Sequence, residues 1–210
     1  MNKKTDVLLN PDNCTFLLID HQPQMVFGVQ SIDRQTLRNN VTALAKTATI
    51  FNIPTILTTI EAQSFSGQLL SEIQKVFPQI SPLDRSSMNA WEDKKVTDAV
   101  HAAGRKKLVM AALWTEICLA FPVLSALEEN YEVYFVVDAS GGFTTTAHEM
   151  AVQRMIQAGA IPMTWLQVLC ELQRDWSRKQ TYNQVTNLIK EHAGAYGVGI
   201  SYRENLTTSK

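Results

Sequence analysis

The sequence predicts an α/β fold in which helices cover a mostly parallel sheet, and three observations carry that reading. Short runs of β-branched and aliphatic residues are apolar at consecutive positions, which suits strands buried on both faces. Longer segments between them keep apolar residues three and four apart, the spacing of one helical face. Hydrophobic residues fill 45% of the 210 positions, enough to bury a substantial core in one domain.

Taken in order, "CTFLLI" at 14–19 is the first predicted strand, and Leu37, Val41, Leu44 and Ala48 mark the helix that follows. "PTILTT" at 54–59 is the second strand, with a weaker short strand near "ISPLD" at 80–84. Val96, Ala99 and Val100 give the next helix, "KLVMAAL" at 107–113 the next strong strand, and Leu119, Val123, Leu124 and Leu127 another helix. "EVYFVV" at 132–137 follows, and "ASGGFTT" at 139–145 reads as a turn before a helix. "AIPM" at 160–163 contains Pro162, which lacks a donor and so belongs at a sheet edge. Asn52, Gly104, Asn130 and Gly159 sit where helices should stop. Helical patterns cover 166–175 and 180–192, and a polar tail with Gly194, Gly197 and Gly199 is expected to be loose or pinned by a neighbouring subunit.

The bulk numbers exclude several classes. Nineteen basic against 20 acidic residues leave a net charge of -1, so no basic field invites nucleic acid and no polybasic stretch invites a membrane surface. No apolar run approaches the roughly 18 residues of a membrane span, and the two early lysines are not followed by a signal-like stretch; a cytoplasmic protein is expected. Three cysteines, Cys14, Cys118 and Cys170, are too few and too far apart for a disulfide framework. No His-x-His, His-Glu-x-x-His or Asp-x-His pattern supplies metal ligands, and no Gly-x-Gly-x-x-Gly follows a strand, so neither metal nor nucleotide cofactor is expected.

In open parallel sheets ligands gather beyond the C-terminal strand ends. The first strand ends in Asp20, His21 and Gln22, the second near Thr59 and Glu61, the fourth leads into Trp114 to Cys118, and the next ends in Asp138. A thiol at the first turn of the helix after residue 113 would meet unpaired N–H groups, which lower its pKa and can hold an oxyanion. Cys118 thus reads either as a nucleophile or as a small buried hydrophobe. Asp20 reads either as a base or as a cap, and His21 and His148 are further candidates for Cys–His chemistry. Cys14 and Cys170 are expected in the core.

These residues resemble the isochorismatase-like cysteine hydrolases, especially their YcaC-like branch. "FLLIDHQ" at 16–22 matches the opening strand with its catalytic aspartate, and "ALWTEIC" at 112–118 matches the Gly-x-x-Thr-x-x-Cys nucleophile motif with Ala112 in place of glycine. "SALEENYEVYFVVDAS" at 125–140 matches the following helix and strand, while "NAWEDKKVTDAV", "QAGAIPMTW" and "CELQRDW" resemble the branch in particular. The resemblance covers about residues 12–178.

It implies a three-layer α/β/α, Rossmann-like domain with about six strands over 1–178, and a C-terminal helix and tail at 179–210 that serves oligomer contacts. It implies an amidohydrolase-type enzyme, cleaving a small amide or related acyl compound through a thioester, and a homo-oligomer, by resemblance an octamer. The implied triad is Asp20, Arg85 and Cys118, with arginine where the family usually has lysine; the competing reading of Arg85 is a surface ion pair with Asp84 or Glu92. The implied oxyanion donors are the amides of Trp114 and Cys118, with a cis peptide between Leu113 and Trp114. Gln22, Met25, Phe27, Trp91 and Thr115 are candidate pocket residues. The region 56–67 has no histidine, so a nicotinamidase-like metal site is not expected. The alternative reading is a non-catalytic thiol redox sensor or a ligand-binding pseudoenzyme on the same fold.

Overall fold

A computed structural model describes residues 7–208. Six strands, β1 (Cys14–Ile19), β2 (Thr55–Ile60), β3 (Leu83–Arg85), β4 (Lys107–Ala112), β5 (Glu132–Val136) and β6 (Ile161–Met163), form one sheet in the order β3-β2-β1-β4-β5-β6. Every pairing is parallel. β1 and β4 are buried along their whole length, as continuous apolar runs between two helical layers require. β6 lies at the edge, with Pro162 exposed, where its missing N–H costs no ladder bond.

The described helices are α1 (Pro23–Gly28), α2 (Arg34–Ile50), α3 (Ser71–Val76), α4 (Lys94–Ala103), α5 (Ala120–Glu128), α6 (Thr145–Gln157), α7 (Trp165–Gln173), α8 (Lys179–His192) and α9 (Ala195–Thr208). Asp33 caps α2 by accepting the Thr36 N–H, and Thr164 and Gln167 form a reciprocal capping box at α7. Gly104 ends α4 at φ 65°, and Asn52, Asn130 and Gly159 also take positive φ at the ends of their segments. α2, α7 and α8 pack together in one layer, and α5 contacts α6 and β5 in the other.

Two expectations change. The segment after His192 is a helix, α9, which packs on α8, rather than a loose polar tail. Cys170 is exposed, because α7 turns Trp165, Val168, Leu169 and Leu172 inward and leaves position 170 on the outer side; Cys14 is buried in β1 as expected. The short α1 and α3, without a long apolar period, were invisible to pattern reading.

The strand order reverses at β1, whose neighbours are β2 and β4. A crevice opens at such a switch point beyond the strand ends. The register sets Ile19 beside both Thr58 and Ala112, and Ile60 beside Arg85, so residues 20, 85 and 113 onward emerge at one edge.

Candidate active site

Asp20 follows β1 at φ 58°, a region that non-glycine residues seldom occupy. Its side chain is fully buried, and it would not remain charged there without partners. Arg85 supplies them, with Nη1 2.6 Å from Oδ1 and Nη2 2.7 Å from Oδ2, a two-pronged ion pair whose side chains are both wholly inaccessible. Thr58 donates a further hydrogen bond to Oδ1 at 2.9 Å, and Arg85 Nη1 also donates to the Thr59 carbonyl at 3.1 Å. The surface-pair reading of Arg85 is therefore wrong: β3 directs the guanidinium inward across β2 to the end of β1. Burial works against its charge and Asp20 outweighs it, so Arg85 is held above its ordinary pKa.

Cys118 sits in a five-residue π-helical turn, Thr115–Leu119, that joins β4 to α5, rather than in the first turn of a regular α-helix. The Leu113–Trp114 peptide is cis. The thiol lies close enough to the Asp20 carboxylate, the Arg85 guanidinium and the Trp114 amide for all three to act on its pKa. Burial pushes the thiol up to about 12; the Asp20 charge adds to that, and Arg85 and the Trp114 amide oppose it. The expectation of a lowered thiol pKa is thus corrected. A helix-end dipole is a modest effect, and desolvation together with an adjacent carboxylate exceeds it. At rest the proton is on sulfur, beside the carboxylate able to accept it.

A cleft of about 290 Å³ opens over the thiol. Met25, Ile60, Phe65, Met88, Trp114 and Ile117 give it an apolar lining, with Ser64, Ser66 and Glu61 among them. Trp114 is fixed by its indole N–H, which donates to the Met25 carbonyl at 2.8 Å, and its ring meets Phe143 edge-on at 5.5 Å. Gly28 faces the other side of the indole, where an added Cβ would lie 2.5 Å from Cζ2.

Of the five candidate pocket residues, Met25 lines the cleft and four do not. Phe27 is 71% exposed on α1. Trp91 is buried elsewhere, donating to Glu129 at 2.8 Å and packing edge-on against Tyr131. Gln22 uses its amide to bind the Ile60 N–H and carbonyl and the Gly67 carbonyl, so it ties loops together. Thr115 is buried and bonded to His148 Nδ1 at 2.8 Å. Neither histidine reaches the sulfur: His148 is occupied with Thr115, and His21 is buried with Nε2 donating to the Ala139 carbonyl at 2.9 Å. Burial drives His21 down to about 4, so it is neutral at ordinary pH. Asp138 accepts the Trp165 N–H and caps α7 rather than entering the cleft.

Sequence reading missed Ile60, Ser64, Phe65, Ser66, Met88 and Ile117. Glu61 was visible as a strand-end residue, the one signal that pointed to this wall. Among the described residues no group of three His, Cys, Asp or Glu side chains could hold a metal ion, and no helix is long and apolar enough to cross a membrane.

An isochorismatase domain model matches residues 14–167. The probable hydrolase YcaC of Escherichia coli K12 is 38% identical over 208 residues, 99% of each chain. The crystal structure of the E. coli YcaC gene product, described as an octameric hydrolase of unknown specificity, superimposes with a TM-score of 0.91 at 39% identity, covering 95% of this chain and 98% of that one. YcaC from Pseudomonas aeruginosa, solved with hexane-2,5-diol and covalent acrylamide, gives 0.90 at 38% identity over the same shares.

Proposed function

The chain belongs to the isochorismatase family, and from that premise we propose that it is a cysteine hydrolase of small amides or related acyl compounds. One observation carries the reading: a single buried carboxylate, Asp20, holds both the guanidinium of Arg85 and the thiol of Cys118 beside an apolar cleft.

The reaction starts from a neutral thiol. As Cys118 Sγ attacks the acyl carbon, its proton passes to the neighbouring Asp20 carboxylate, so no free thiolate accumulates. Arg85 is cationic at any relevant pH and balances the negative charge of the Asp20–Cys118 pair. The amides of Trp114 and Cys118 hold the oxyanion, and the Trp114 amide already lies near enough to the sulfur to act on its pKa. Asp20 then returns its proton to the leaving amine, giving a thioester. Water deprotonated by Asp20 attacks that thioester, releases the acid and restores the thiol.

The thiol-sensor alternative is disfavoured by the same geometry. Redox-sensing cysteines have low pKa values and open access, whereas Cys118 is 3% exposed and raised to about 12. Covalent acrylamide in the P. aeruginosa relative supports a nucleophile within reach of small uncharged molecules, since acrylamide is captured by addition at its alkene. The octameric relative supports a homo-oligomer, and residues 179–210 are the proposed contact region, since α9 presents Val198, Tyr202 and Leu206 to solvent at one-turn spacing. A cytoplasmic site of action, small-molecule substrates, and no membrane or nucleic-acid partner complete the reading.

The test is a screen of small amides, carbamoyl compounds and esters, read by ammonia release and by intact mass of trapped acyl-enzyme. Cys118→Ala is expected to lose turnover and adduct while keeping its circular dichroism. Turnover retained by that variant refutes the mechanism.

A further inference from the structure

Building on the reading of the cleft as the substrate site, we propose that Glu61 is a specificity-determining residue that admits uncharged or cationic acyl compounds with a compact apolar body and rejects anionic ones. The charge inventory of the wall supports this. No lining residue is Lys, Arg or His. Arg85 is not offered to a ligand, since both terminal nitrogens lie on Asp20 and its side chain is inaccessible. The ion pair sums to zero and the resting thiol is neutral, which leaves Glu61, an exposed residue at the rim, as the one charged residue of the lining.

Glu61 is also held in place. It leaves β2 at φ 50°, its N–H donates to the Arg85 carbonyl at 3.0 Å, and its own carbonyl accepts the Ser64 N–H at 3.0 Å. The Ser64 hydroxyl donates to Oε2 at 2.9 Å. An anionic substrate would give up water to enter an apolar cleft and meet a like charge there, with no cation to offset either loss. A cationic or hydrogen-bond-donating group would find an acceptor, and the apolar walls would take the body of the molecule.

Charge-matched methanethiosulfonates test this without requiring turnover. Cys118 sulfur attacks the sulfenyl sulfur, a disulfide forms and methanesulfinate leaves. The probes are the cationic trimethylammonium-ethyl, anionic sulfonatoethyl and neutral methyl reagents, with the adduct at Cys118 quantified by peptide mass and each rate normalised to 2-mercaptoethanol. The expected cation-over-anion ratio is about tenfold or more in the native chain, as for a unit charge within a cleft's width. It should fall to near unity in Glu61→Gln and persist in Ser64→Ala, which keeps the charge. An equal ratio in the native chain and Glu61→Gln overturns the proposal, as does native preference for the anion. Failure of the neutral reagent to reach Cys118 overturns both this inference and the hydrolase reading. Turnover retained in Cys118→Ala, with the charge ratio intact, overturns the hydrolase reading alone.

Discussion

Replacing Asp20 by asparagine should make the nucleophile more acidic while making the enzyme worse. In the native protein the thiol stands at about 12, so at pH 8 about one molecule in 10⁴ is a thiolate. Burial is the largest cause and survives the substitution, but the Asp20 charge and its hydrogen bond to the thiol do not. Arg85 then lies buried opposite the sulfur with no carboxylate to neutralise it. Arg85 already acts in the native chain, so the gain is the lost repulsion: a like charge at about 5 Å, at an effective dielectric constant near 20, disfavours the thiolate by about 3 kcal/mol, or about two pKa units. The thiolate fraction at pH 8 should therefore rise about 100-fold, even as turnover falls by about 10²–10⁴ with loss of the base. The ultraviolet thiolate band, titrated against a Cys118→Ser background, measures the first effect and ammonia release the second. A thiol that titrates at or above its native value in Asp20→Asn would refute the reading that the Asp20 charge adds to burial in keeping the sulfur protonated.

Further outcomes follow from the same buried groups. Arg85→Met leaves the Asp20 carboxylate buried without a counter-charge and should cost about 3–5 kcal/mol in urea unfolding, whereas Arg85→Lys keeps the charge, loses the fork and should cost less. His21 takes up its proton at about 4 when folded and near 6.5 when unfolded. The unfolded chain therefore binds more protons between those values, and stability is full above pH 6.5 and falls toward pH 4 by about 3 kcal/mol. Urea midpoints measured from pH 7 to 4.5 should show this slope in the native chain and a shallower one in His21→Gln. Gly28→Ala drives a methyl into the Trp114 ring and should cost about 1–3 kcal/mol, with a shift in tryptophan emission as the indole leaves the Met25 carbonyl.

The sheet was legible in the sequence because strands buried on both faces cannot alternate: "FLLI" and "LVMAA" admit few other readings. Helix stops were legible where the chain needs positive φ, as at Asn52, Gly104 and Asn130. The meeting of Asp20 with Arg85 was not, since 65 residues separate them and β2 lies between their strands. Family resemblance supplied that pairing; local pattern offered an equally good surface partner. The protonation of Cys118 was misread because a helix end is a local feature, whereas burial and a neighbouring carboxylate belong to the assembled fold. Phe27 and Trp91 failed as pocket residues for a related reason: an aromatic side chain announces affinity for apolar surroundings, and the sequence does not say which ones.

β3 is three residues long and forms the outermost rail of the sheet, yet it carries the guanidinium that neutralises the buried Asp20. Among the described residues its far side has no ladder, so it is held by β2, by the fork that reaches past β2 to the first strand, and by bonds from the Ala62 N–H and Lys95 to Asp84. Peeling that rail by a few ångströms would strand the carboxylate before anything else in the molecule unravelled. Under the proposed mechanism such fraying would silence the site first, and amide exchange at residues 83–85 should report impending inactivation well ahead of global melting.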